Sequence, residues 1–131
     1  MITRQRLNSV SLIIQTLFYL SAGINHFVNP DSYYPLIPDY LSDWKISINL
    51  ASGFFEIILA IGLLFDGTRK SASTGIILML IAFIPSHVWF ITGGIEAVGP
   101  LKVSPLMAWI RLLLIHPLLI WWAWSSRFYR L

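Results

Sequence analysis

The chain has 131 residues, of which 56% are hydrophobic and 11% charged, with a formal net charge of +3 and no cysteine. Soluble domains carry about 25% charged residues, so this composition excludes an ordinary soluble globule. The missing cysteines exclude disulfides, thiolate metal sites and thiol–disulfide exchange within the chain, and the scattered basic residues, set at the ends of apolar runs, exclude a nucleic-acid surface.

Four apolar segments reach the ~20 residues an α-helix needs to cross hydrocarbon: about 10–28, 46–65, 71–92 and 105–125. The predicted architecture is a single all-α membrane domain over 1–131. It is an integral four-helix bundle with antiparallel neighbours, because the connections are short. The first segment follows MITRQR in the manner of a signal peptide. Gln15, Asn25 and His26 interrupt it, however, and no small-x-small cleavage site precedes Pro30, so a retained first span is expected.

The first loop, Asn29 to Trp44, is more than a linker. Asn29-Pro30 fits a helix cap and first helical position. Tyr33, Tyr34, Tyr40 and Trp44 are rings of the kind found at headgroup level. A short interfacial segment over about 30–41 is predicted, either an aromatic belt or a lid over the helices. Asp66 to Lys70 is expected to form a tight turn, and the glycine-rich stretch 93–104 to be the most irregular part. No internal repeat is evident.

Charge sets the orientation. Arg4, Arg6, Arg69, Lys70, Arg127 and Arg130 fall on one side of the predicted spans, and Lys45 and Lys102 on the other. The positive-inside bias predicts both termini in the cytoplasm, in the inner (cytoplasmic) membrane.

Glu56 lies near the middle of the second span. A charge at the bilayer centre costs about 3 kcal/mol or more unless paired, protonated or turned to a cavity. Its helix face, Asn49, Ser52, Gly53 and Ala60, is small or polar and should look into the bundle. Arg111 in the fourth span is the expected counter-charge, holding Glu56 ionised. His26 and His87, from the first and third spans, would line the outer mouth of the same pocket, with Asn25, Asn49, Ser52 and Gly53 in support. His116 stands about 140° from Arg111 on an ideal helix and should serve a different contact. Pro85 and Pro117 should free the carbonyls of Ile81 and Leu113 and kink their helices. No metal site is predicted.

At these residues the chain resembles the DoxX/MauE-like family of small four-helix membrane proteins. The similar stretches are AGINHFVNPDSYYPLIPDYL (Ala22 to Leu41), SGFFEIILAIGLL (Ser52 to Leu64), FIPSHVWF (Phe83 to Phe90) and WIRLLLIHPLLIWWAW (Trp109 to Trp124). Many members read Arg-Leu-Pro-Leu-Gln in the fourth helix. Here Leu113 replaces that proline, Pro117 comes later, and the glutamine has no counterpart. The resemblance implies an accessory membrane part of a redox or maturation system: relatives include a membrane subunit of a thiosulfate:quinone oxidoreductase and a factor for maturing methylamine dehydrogenase.

The first functional expectation is thus an accessory subunit of a membrane redox system. Its pocket would take a quinone-like or other small apolar ligand. No haem or iron–sulfur motif is visible and no intrinsic cofactor is expected, so electrons would come from a membrane or soluble redox partner protein. A haem between His26 and His87 would rest on residue type alone. The alternatives are an assembly or maturation factor without chemistry of its own, and a small-solute transporter acting as a homo-oligomer. Whether the chain is an enzyme stays open. The lipid bilayer is its surrounding partner.

Overall fold

The computed structural model describes residues 3–95, 97–98 and 101–130. Helix α1 runs Arg4–Val28, and three short 3₁₀ turns follow at Pro30–Ser32, Tyr34–Leu36 and Asp39–Trp44. Helix α2 is Lys45–Leu63, α3 is Asp66–Ala82 and α4 is Ile84–Thr92. A two-residue antiparallel ribbon, β1 (Ala97–Val98) and β2 (Leu101–Lys102), leads to α5 (Pro105–Ile110). A π-helical stretch, Arg111–Ile115, joins α5 to α6 (His116–Ser126). Four helical stretches are long and apolar enough to cross a membrane: Arg4–Val28, Asp39–Leu63, Asp66–Thr92 and Pro105–Ser126.

The predicted segments end within two residues of these bounds, but the first three helical stretches begin five to seven residues earlier than predicted. The ribbon departs from the all-α expectation. It sits in the stretch predicted to be irregular, after Gly94, whose φ of 64° is a left-handed geometry that glycine takes without strain. The predicted turn over 66–70 is instead the first turn of α3, leaving only Leu64 and Phe65 between the helices. Asn29 stands at the cap of the first 3₁₀ turn with Pro30 in its first position, as expected, but its side chain makes no capping bond; its Nδ2 donates to Asn25 Oδ1 at 2.7 Å.

Arg69 explains the tight α2–α3 junction. The last carbonyls of a helix have no partner within it. The buried Arg69 guanidinium takes them up: Nε donates to the Leu63 carbonyl at 2.8 Å and Nη2 to that of Leu64 at 3.3 Å. Its Nη1 reaches Asp66 and the Tyr129 carbonyl, tying the chain's end to the same turn. This arginine is therefore a clamp rather than a free surface charge. Arg69→Met leaves these carbonyls unsatisfied, at roughly 1–3 kcal/mol each. A drop in thermal midpoint is expected that Arg69→Lys does not repair, because one ammonium cannot reproduce the planar fork.

α1 packs along α2, α2 along α3 and α3 along α6. The α1–α2 contact is close because glycine faces glycine. A Cβ on Gly53 would lie 2.9 Å from the Gly23 carbonyl oxygen, and one on Gly23 would lie 2.8 Å from that of Gly53. Thr16 Oγ1 donates to the Ala60 carbonyl across the same seam at 3.3 Å. The buried apolar cluster includes Leu12, Tyr19, Leu63, Ile76 and Leu80. Elsewhere the helices present Leu, Ile, Phe and Trp outward, as lipid-facing surfaces do.

Both helix breaks come at the prolines. α3 stops at Ala82 and α4 restarts at Ile84, with Pro85 in its first turn, where a missing N–H costs nothing. Ahead of Pro117, the His116 N–H bonds to the Arg111 carbonyl, a five-residue π step.

Candidate functional site: an intramembrane cavity

A cavity of ≈950 Å³ opens among α1, α2, α3, α4 and the π segment, beneath the loop of 3₁₀ turns. Much of its wall is apolar: Phe18, Ile48, Phe55, Leu59, Met79 and Phe90 are among its residues. Its polar lining includes Tyr19, His26, Tyr33, Asn49, Ser52, Glu56, Ser86, His87, Arg111 and His116.

On the α1–α2 side the polar groups form a connected set. Asn49 Nδ2 donates to the His26 carbonyl at 2.9 Å, which turns Asn49 Oδ1 toward His26 Nδ1, 2.7 Å away. Nδ1 therefore carries a hydrogen. His26 Nε2 faces Glu56 Oε2 at 3.3 Å, with both side chains buried. The remaining proton can reside on either group, as imidazolium beside carboxylate or as imidazole beside carboxylic acid. The pair is neutral overall in both forms, which is how a buried carboxyl group is accommodated. Glu56 Oε2 is within ion-pair reach but makes no hydrogen bond among the described residues. The buried Tyr19 hydroxyl is unbonded there as well. The site thus has hydrogen-bonding capacity to spare.

Tyr33 closes the set from above. Its ring stacks on His26, with centroids 3.7 Å apart and planes inclined 22°. Asn25 Nδ2 donates to the Tyr33 hydroxyl at 2.7 Å, leaving the phenol proton free. Burial pushes the Tyr33 phenol above 10.0. The Asn25 hydrogen bond opposes that shift, the Glu56 charge adds to it and Arg111 offsets it, so the ring stays neutral at physiological pH. Leu36, Ile37, Pro38 and Leu41 also line the cavity. The loop thus lies against the cavity.

On the opposite side stand Arg111, His87 and His116. His116 Nε2 donates to the Leu80 carbonyl at 2.6 Å, next to the proline break, and its ring meets His87 edge to face at 4.6 Å. The Arg111 guanidinium lies 5.7 Å from the centre of the Phe90 ring.

One sequence expectation is corrected here. Glu56 pairs with His26, and no Glu56–Arg111 ion pair forms. The reason is packing: α2 lies between α1 and α3, whereas the π segment packs against α4. His116 serves a contact of its own, as expected, at the Leu80 carbonyl, and it also lines the cavity that Arg111 lines. The π step supplies the reason, since a five-residue hydrogen-bonded turn brings residues five apart into register. Of the supporting residues, Asn49 and Ser52 line the cavity. Gly53 acts behind the wall by letting α1 approach, and Asn25 by holding Tyr33. Tyr19 went unpredicted, although it stands seven residues before His26, on the same helical face. Among the described residues no three His, Asp or Glu side chains gather as a metal-binding group.

No curated protein and no solved structure matches the chain. A family model described as a domain of unknown function, DUF8561, matches residues 15–127, a stretch that holds every polar residue of the cavity, and the chain belongs to that family.

Proposed function

We propose that the chain is an inner-membrane protein, an antiparallel four-helix bundle with both termini cytoplasmic, whose cavity binds a quinone-like or similarly small, largely apolar ligand. In this reading it serves as an accessory subunit of a membrane redox system. The observation that carries ligand binding is the cavity itself. Ligand sites are typically concave, of ~300–1,000 Å³, mostly apolar, with a few convergent polar groups. This one is ≈950 Å³ and matches that description. The helix contacts and the Lys/Arg distribution support the topology. The redox association rests on the resemblance to the DoxX/MauE-like proteins.

The chemistry fits a quinone. Its two carbonyls need hydrogen-bond donors, and its reduction takes up two electrons and two protons. Arg111 and the histidines are donors, and the His26–Glu56 pair holds a proton beside unfilled acceptor capacity. Both electrons would come from a redox partner protein.

The test is a titration of the purified protein in lipid nanodiscs with decylubiquinone, followed by tryptophan fluorescence. Saturable quenching is expected in the wild type and its loss in Ser52→Phe, which fills the cavity from α2. Absence of saturable binding would overturn the reading. Specific co-purification of one protein, unaffected by Glu56→Gln, would then favour the assembly factor.

A further inference from the structure

Among the described residues, the cavity contains a cation that no anion accompanies. Among the described residues no carboxylate pairs with Arg111, and its guanidinium makes no hydrogen bond. It lies against the face of Phe90, which attracts positive charge but accepts none of the five N–H donors, and within electrostatic reach of the neutral Tyr33 phenol. The acid predicted to neutralise it is engaged with His26, in a pair that is neutral on its own. Among the described residues the cavity therefore carries a positive charge at the π segment that no carboxylate balances. The Tyr19 hydroxyl and the free Tyr33 phenol proton remain on the α1–α2 side.

An unpaired guanidinium at membrane depth is expensive, and planar paired donors suit a carboxylate or an ionised ring hydroxyl better than any neutral group. The π step has a further consequence. It sets Arg111 and His116 into the same cavity, where a regular helix would turn them apart.

We infer that the ligand of this cavity is an acidic apolar molecule, a ring or chain bearing one ionised oxygen that docks on Arg111. This rests on the reading of the cavity as a ligand site and narrows it, because a neutral quinone would leave the charge uncompensated.

The test uses two probes of nearly equal size. Lawsone is a naphthoquinone whose ring hydroxyl is ionised at neutral pH, and its methyl ether is neutral. Both are titrated by isothermal calorimetry into the protein in nanodiscs of neutral lipid, for the wild type, Arg111→Gln and Arg111→Lys. Lawsone is expected to bind the wild type about tenfold or more tightly than the ether, as a charge-assisted contact implies. Arg111→Gln should erase that preference, whatever ether affinity it retains, and Arg111→Lys should keep part of it. An unchanged monodisperse peak and thermal midpoint show that the variant is folded. Equal binding of both probes to the wild type, or a preference that survives Arg111→Gln, would overturn the inference and leave the cavity reading standing. Failure of both probes to bind the wild type would overturn both.

Discussion

Gly53→Val is expected to remove most folded protein, the largest effect of any single substitution at the α1–α2 seam. A Cβ there would meet His26 Cβ at 2.7 Å, Phe27 Cε2 at 2.8 Å and the Gly23 carbonyl oxygen at 2.9 Å. Two of these neighbours cannot rotate away, being a backbone atom and a first side-chain carbon. Valine adds two further methyl groups. Overpacking a core typically costs ~1–3 kcal/mol and more where backbone must move. Here the separation of α1 and α2 also sets the His26–Asn49 and His26–Glu56 contacts, so spreading the helices breaks the polar set too. Monodisperse yield and thermal midpoint measure the effect. Gly67→Ala is the control. A Cβ there meets nothing within 4 Å, and the residue lies in the first turn of α3, so alanine should be neutral or stabilise by up to ~1 kcal/mol. Equal tolerance at both positions would contradict the seam.

His26→Ala is expected to be nearly as severe. It removes the partner of Glu56, one hydrogen bond of Asn49 and the platform beneath Tyr33. Losing one member of a buried pair costs ~3–5 kcal/mol, because the other is left uncompensated. His26→Ala with Glu56→Ala should recover part of that loss, since no lone acid then remains. The double-mutant cycle separates this pairing from simple cavity creation. A double variant no more stable than the sum of the singles would show that the two side chains do not act as a pair.

Much of the fold could be read from the sequence because its determinants are local. Span length and apolarity follow from composition. Pro85 and Pro117 mark the breaks in the third and fourth helical stretches by removing a donor, whatever the surroundings. The site was only partly readable. Small and polar residues around Glu56 correctly turned it inward, and the cavity brings together His26, Glu56, His87 and Arg111. Partner choice was not readable, because it depends on which helices touch. Charge balance favours arginine over histidine for a lone glutamate, but Arg111 stands on a segment packed against α4. His116 keeps the separate contact expected of it, at the Leu80 carbonyl, but its place on the cavity wall was not readable, because its predicted direction assumed a regular helix and the π step changes the register between Arg111 and His116. Arg69 looked like a surface charge because sequence alone does not show that the α2 carbonyls lack donors.

The central claim is that Glu56 faces a ligand-binding cavity, paired with His26 and facing neither lipid nor Arg111. The most direct measurement is an infrared difference spectrum, quinone-bound minus free, of wild type and Glu56→Gln in nanodiscs. The account predicts a carboxyl or carboxylate band that changes when ligand binds and is absent from the Glu56→Gln spectrum. Identical difference spectra for the two proteins would contradict it.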